Sequence, residues 1–328
     1  MDNFYSRRLD IDDNVLVSVI ITTYNRPHYL KQTLFSVTKQ DYKNIEVVVI
    51  DDGTPGNENK ELCECFDNVR YYKIRNTGSP VVPRNEGFRL SVGIYVAFLD
   101  DDDLWLPNKL RQQVDILNRY LEYGLVHGYC RVIDQFGDET GKIVGRLKNP
   151  ERKHGYVFDD MVGNFTVMMP TPLIRREWVE KVGGFNNEIS AAGEDMEFFC
   201  HLSFYTKFYY IDEALALYRV HSGGISQNNY QYNWLPLILF QLVSLLRNRG
   251  LSLNRYNVIR QRLIIRQLEL IDDYKTLKVA LINCFKMDAF FFLKFHLISV
   301  CIKQVFTTLI SVSNHINQNK LITESVEK

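Results

Sequence analysis

Gly93 to Leu99 is a run of apolar and aromatic residues that reads as a buried strand, and it ends in four consecutive aspartates, Asp100 to Asp103. Four carboxylates at the C-terminal end of one strand repel one another strongly unless something cationic sits among them. Oxygen ligands there suit Mg²⁺ or Mn²⁺, which take one or two protein carboxylates and complete their shell with water and substrate phosphate. The run therefore predicts a divalent metal and a diphosphate. The competing reading is a solvated helix N-terminus, because Pro107 and the spacing Leu110, Val114, Leu117, Leu121 mark a helix starting there. The apolar strand directly ahead disfavours it. A calcium loop of the EF-hand type fits less well still, since Leu104 stands where the third oxygen ligand belongs and the loop glycine is missing.

The residues leading to this strand alternate strand and helix patterns. Val15 to Ile21 and Ile45 to Ile50 are continuous apolar strands, Val69 to Ile74 is a shorter one, and Leu30, Leu34 and Val37 mark a helix face. A helix around Arg84 to Ser91 precedes the aspartate strand. This order predicts an α/β fold, a doubly wound, mainly parallel sheet flanked by helices, with ligands at the strands' carboxyl ends. Farther on, 107–123 reads as a helix, Leu125 to Ile133 as a strand and 134–165 as a variable loop region. Leu173 to Phe185 reads as a strand or short helix, and Glu194 to Tyr205 as a helix. The expected division is a catalytic domain over 1–229, with a nucleotide-binding half near 15–123 and an acceptor half near 124–229, then a helical C-terminal region over 230–328.

Hydrophobic content of 46% with 24% charged residues is that of a folded chain, which removes long disorder from consideration. Net charge is zero, yet residues 230–328 hold 13 Lys/Arg against 6 Asp/Glu and the rest holds 26 against 33. The six cysteines show no CxxC pair and no zinc or disulfide spacing, so they are expected as reduced thiols in a cytoplasmic protein. The opening MDNFYSRRLDIDDN lacks the apolar core of a secretory signal, and Lys294 and Lys303 interrupt the most apolar stretch before it reaches the ~20 residues that span a bilayer. No GxGxxG or GK[ST] occurs, which argues against dehydrogenase and P-loop nucleotide sites. No nucleic-acid partner is expected.

Five segments follow one another in order: VSVIITTYNRPHYLKQTLFSV, VVVIDDGT, NTGSPVVPRNEG, AFLDDDDLWLP and GGFNNEISAAGEDMEFF. Together they resemble the inverting nucleotide-sugar glycosyltransferases of family 2, of bacterial surface-polysaccharide type, over roughly residues 15–225. The resemblance implies a GT-A fold, Mn²⁺ or Mg²⁺ as cofactor, a nucleotide-sugar donor and a glycan or lipid-linked acceptor.

Such a transfer needs recognition of the nucleotide, neutralisation of the leaving diphosphate and a base for the acceptor hydroxyl. Asp52 ends a buried strand, where a carboxylate can accept from a base N–H such as uracil N3. Guanine offers N–H donors too, so UDP over GDP rests on the resemblance. A plain turn is the competing reading of Asp51-Asp52-Gly53-Thr54. By resemblance, Asp52 reads the base while Thr22, Tyr24 and Asn25 line the same pocket. The family's D-x-D-D pattern falls on Asp100 to Asp103, which implies Asp102 as the metal ligand and Asp100 or Asp101 on the ribose or a metal-bound water. Arg84 is a candidate second cation for the phosphates. Asp195 opens a helix after Ala191-Ala192-Gly193, and the resemblance makes it the base, with Glu194 and Trp105 toward the acceptor. One carboxylate deprotonating the acceptor while the nucleotide leaves from the opposite face implies inversion at the anomeric carbon. YRVHSGGIS resembles the segment closing such a site, with His221 on the metal or the diphosphate. The QxxRW signature of processive synthases is missing after Asp195, which favours transfer of a single residue.

Two other classes remain in view: a nucleotidyltransferase with the same metal and pocket, and a non-catalytic nucleotide-sugar-binding module, against which the intact Asp195 segment argues. The tail carries WLPLILFQLVSLL and LKVALINCFKMDAFFFLKFHLISVCIKQVFTTLI. Its apolar helices and excess positive charge fit an in-plane helix at the inner face of the cell membrane, with Phe290, Phe291 and Phe292 in the acyl boundary and Lys294 and Lys303 at the headgroups. A helical subdomain that packs on the protein or forms a homodimer fits equally well.

Overall fold

The computed structural model describes residues 14–189, 192–224 and 230–294. Two compact units comprise residues 1–228 and 229–328.

In the first unit, β1 (Val17–Thr23), α1 (Pro27–Thr38), β2 (Ile45–Asp51), α2 (Glu58–Cys63), β3 (Val69–Lys73), α3 (Val81–Leu90) and β4 (Tyr95–Asp100) alternate along the chain. They are followed by β5 (Leu104–Trp105), α4 (Lys109–Arg119), β6 (Tyr123–Ile133), β7 (Glu139–Val144), α5 (Phe158–Met161), β8 (Leu173–Arg175), α6 (Arg176–Val182), α7 (Glu194–Tyr205) and β9 (Lys207–Arg219). One sheet runs in the order β3-β2-β1-β4-β8-β6-β9-β5, with β7 paired to β6. The β3-β2-β1-β4 half is parallel, and β8 joins it antiparallel to β4.

β1, β2 and β4 are buried on both faces, which is why they read as unbroken apolar runs. Their pleat assigns the two layers. Val17, Val19 and Ile21, with Val47, Val49, Ala97 and Leu99, share a core with Leu30 and Leu34 of α1 and Leu110, Val114 and Leu117 of α4. Ile20 and Ile50 point the other way, against α3, where a Cβ placed on Gly87 would lie 2.3 Å from Ile20 Cγ2. On that face Phe98 meets Phe185 and Phe198 edge-on at 4.9 and 6.0 Å, which seats α7 under the strand carrying the aspartates.

One expectation changes, and one strand comes without a sequence signal. The stretch 134–165 is not all loop, since β7 forms a hairpin with β6 and a short helix follows at Phe158–Met161. β9 is a strand of 13 residues paired in parallel with β6, and β5 pairs antiparallel with its end. Asp212 and Glu213 lie exposed in its middle, which breaks the apolar alternation that would have announced it.

The second unit holds α8 (Leu235–Arg247), α9 (Leu253–Glu269) and α10 (Tyr274–Met287). Ser252 caps α9, and Asp273 with Thr276 forms a capping box on α10. Val243, Leu246, Leu263, Ile264, Leu268 and Cys284 are buried in it. Phe291 is also buried, so it is not available to a bilayer as expected, whereas Phe290 is exposed. The Phe292 side chain, Lys303 and the N-terminal segment read for a signal lie outside the described residues.

Candidate active site

The strand end divides its four carboxylates by alternation. Asp101 and Asp103 are buried, while Asp100 and Asp102 keep partial exposure at the sheet's carboxyl edge. Asp103 accepts from the Arg219 backbone N–H at 2.9 Å, and the Thr33 hydroxyl lies 2.8 Å from the carbonyls of both Asp101 and Asp103, so β9 and α1 clamp the turn. Asp101 accepts from Thr23 Oγ1 at 2.6 Å and pairs with Arg26 Nη2 at 2.6 Å. Burial pushes its carboxyl up to about 7 against the pull of Arg26. Asp101 is therefore an interior anchor, and of the two residues expected near the ribose or a metal-bound water only Asp100 keeps an exposed edge.

Asp102 Oδ2 accepts from Arg26 Nη1 at 2.6 Å and lies 3.0 Å from His221 Nε2. Burial opposes its ionisation, but His221 and Arg26 outweigh burial and hold the carboxyl below its usual range. A carboxylate oxygen and an imidazole nitrogen side by side suit a divalent ion whose other ligands are phosphate and water. No group of three or more metal-ligating side chains gathers among the described residues. The donor set thus fits a substrate-completed site and not an all-protein cage. Asp102 and His221 are the residues that would hold the ion.

Arg84 is a buried tie, not a surface helix residue: its side chain is 4% exposed, Nη2 donates to Asp100 Oδ1 at 2.8 Å, and Nη1 donates to Glu194 Oε1 at 2.9 Å. Both arms of the guanidinium are engaged by carboxylates, partners other than the phosphates expected for Arg84. Glu194, expected toward the acceptor, gives half its carboxylate to this pair. Trp105 is 4% exposed, donates Nε1–H to Pro170 O at 2.8 Å and lies under Lys109 Nζ at 4.0 Å. That burial corrects its placement at the acceptor. Asp195, at the start of α7, is half-buried and accepts from the Met196 N–H at 2.8 Å. Burial and the adjacent Glu194 push its carboxyl up to about 7 against Arg84.

At the neighbouring strand ends, Thr22 Oγ1 lies 3.3 Å from Asp100 Oδ1, Tyr24 is exposed, and Asn25 adopts φ 52°, a left-handed conformation that asparagine tolerates. Asp51 is fully buried and accepts from Thr54 N, Asn59 Nδ2 and Tyr71 OH. Asp52 Oδ1 accepts from the Thr77 N–H and hydroxyl, both at 2.9 Å, and Oδ2 from the Gly78 N–H at 3.1 Å. A carboxylate accepts about four hydrogen bonds, so roughly one position is left for a base N–H. Gly53 makes this close fit: its φ is +83°, and a Cβ there would stand 2.6 Å from Asn76 N. The turn and binding readings of this segment are thus compatible.

The family model for glycosyl transferase family 2 matches residues 18–183, which span the whole edge from β1 to α6. The chain belongs to that family. As a family 2 member it is 28% identical over 233 residues to an uncharacterized glycosyltransferase of Rickettsia conorii, covering 68% of this chain and 37% of that protein. It is 28% identical over 300 residues to glycosyltransferase GlyG of Streptococcus pneumoniae serotype 4, covering 84% and 96%. Several relatives are longer, and a Rickettsia bellii glycosyltransferase is matched over 22% of its length. Among solved structures, residues 1–349 of TarS from S. aureus superpose with a TM-score of 0.66 at 17% identity, covering 92% of each chain. The fold is GT-A, with a curled mixed sheet between helices.

Arg26 and Arg219 are the site residues that sequence reading passes over. Arg26 lies inside the quoted TTYNRPHYL segment, and Arg219, whose Nε donates to the Asp102 carbonyl at 2.8 Å, lies inside YRVHS. A lone arginine carries no pattern; only the acidic run signals that a counterion must come from somewhere.

Proposed function

We propose that this family 2 chain is a metal-dependent, inverting glycosyltransferase that moves one sugar from a nucleoside-diphosphate sugar, first of all a UDP-sugar, to a hydroxyl of a glycan or lipid-linked acceptor in polysaccharide assembly. The observation that carries this reading is the Asp102–His221 donor pair at the acidic strand end, where Arg84 ties the neighbouring Asp100 to Glu194, the residue next to a half-buried Asp195 whose carboxyl is pushed up to about 7. A carboxyl near neutrality is matched to accepting a proton from a hydroxyl at neutral pH.

Asp52 and Thr22 would receive the nucleoside, and Asp102 with His221 would hold Mn²⁺ or Mg²⁺. That ion supplies Lewis-acid neutralisation of charge developing on the diphosphate. Asp195 takes the acceptor's proton while the nucleotide departs from the opposite face, so the anomeric centre inverts in one displacement. Arg84 keeps Asp100 and Glu194 from adding unpaired negative charge beside it. Support for a nucleotide-sugar donor comes from a TarS structure in complex with UDP-GlcNAc (TM-score 0.60, 16% identical, covering 83% of this chain and 89% of that one). A mannosyltransferase of Pyrobaculum calidifontis in complex with GDP-Man and Mn²⁺ (TM-score 0.57, 16% identical, 93% and 88% covered) supports the metal.

Thermal unfolding with UDP or GDP, with and without Mn²⁺, tests the site. UDP should stabilise the protein only with Mn²⁺, and Asp102→Ala should lose that stabilisation along with turnover. Stabilisation that survives in the variant removes Asp102 as the ligand. Release of pyrophosphate in place of a nucleoside diphosphate would indicate nucleotidyl transfer, and a product anomer that matches the donor's by NMR would contradict single displacement.

A further inference from the structure

Asp102 Oδ2 is the atom on which the acidic strand end converges, with Arg26 Nη1 at 2.6 Å and His221 Nε2 at 3.0 Å. The second arm of the guanidinium, Nη2, lies 2.6 Å from Asp101 Oδ1, and Nη1 is 3.4 Å from His221 Nε2. The two anchors are unequal. Asp101 has no exposed side-chain surface, whereas the Asp102 side chain is 15% exposed and that of Arg26 28%. One arm is fastened in the interior and the other rests at an open rim. The guanidinium lies against the same carboxylate oxygen and the same imidazole nitrogen that would hold a divalent ion. Two cations at such distances repel strongly, because the energy scales with the product of the charges over their separation.

We propose that Arg26 is a placeholder cation: it neutralises Asp101 and Asp102 when no metal is bound, and yields Asp102 while keeping Asp101 when metal and nucleoside diphosphate bind together. The proposal rests on the metal-assisted reading of the site. Metal alone must break an ion pair and then lie beside the displaced guanidinium, so it binds weakly. A diphosphate brings the negative charge that offsets both cations. Each ligand therefore raises the other's affinity, by the same factor in either order. Arg26 makes the site select metal that arrives with nucleotide over free metal.

The test is calorimetric titration of the full chain with Mn²⁺, with and without UDP, in wild type and Arg26→Gln. In wild type, UDP should tighten Mn²⁺ binding by about tenfold or more. Arg26→Gln should bind Mn²⁺ alone about tenfold more tightly than wild type, with a smaller enhancement by UDP. Equal or weaker binding of Mn²⁺ alone by the variant, with the wild-type enhancement intact, overturns the placeholder role and leaves the metal-assisted reading standing. No Mn²⁺ binding by wild type in the presence of UDP overturns both. A wild-type measurement covers a variant that does not fold: the side-chain ¹⁵N resonance of Arg26 should shift on addition of Mg²⁺ with UDP and stay in place with Mg²⁺ alone. A resonance unmoved by both together also overturns the proposal.

Discussion

Asp195 and Glu194 are adjacent carboxylates at the start of one helix, and the protein sets them apart by what each touches. Glu194 is paired with a buried guanidinium, while Asp195 is raised to about 7 by its surroundings. If Asp195 is the base, Asp195→Asn should leave nucleotide binding near normal and lower turnover by ~10²-fold or more, measured as kcat against the Kd for UDP with Mn²⁺. The sign of the pH dependence follows from the same shift. A base works only when deprotonated, and its carboxyl here releases its proton near 7, so activity should fall about tenfold per unit below pH 7 and level off above it. A rate flat from pH 5 to pH 8 would remove Asp195 from the mechanism. The aspartate run was legible as a cluster. Which members face the site follows from alternation, but that Arg26 neutralises two of them depended on a residue some 75 positions upstream being folded against them.

At the scale of elements, α3 is what brings Arg84 to the strand end, and its seating depends on a glycine. Gly87→Ala would press a methyl into Ile20 and Ile50, at 2.3 and 3.2 Å from the nearest atoms. Overpacking of this kind costs ~1–3 kcal/mol, and chemical denaturation should show it. Because Arg84 lies one turn before Gly87, donor affinity should weaken with it, whereas an alanine placed at exposed Arg89 should change neither. Full stability in Gly87→Ala would mean that α3 has room to move. The parallel half of the sheet was readable because strands buried on both faces are continuous apolar runs. β9 was not, since its charged middle hides the pattern, and its place is decided by pairing with β6.

At the scale of the molecule, residues 230–328 carry the excess of positive charge, and α10 turns Leu281, Ile282 and Phe285 to solvent beside the exposed Lys278 and Lys286. No described helix is long and apolar enough to cross a membrane. We expect this face to lie on an anionic surface, with basic residues adding ~1 kcal/mol each, so the full chain should sediment with anionic vesicles at low salt and be released by high salt. Phe285→Glu should weaken that binding several-fold while leaving turnover on a soluble acceptor unchanged. A supernatant that retains the wild-type chain at low salt would make the tail a packing or dimer element. What the sequence determined by itself was the strand-by-strand α/β order, the acidic strand end and the carboxylate opening α7, because each is a local pattern of burial or charge. Tertiary structure alone decided that Arg84 is a buried counterion and Arg26 a half-buried one, that Trp105 is core, and that His221 stands beside Asp102. Neutralising a carboxylate in a desolvated edge requires a partner within about 3 Å, and the chain can supply that partner from any distance along its length.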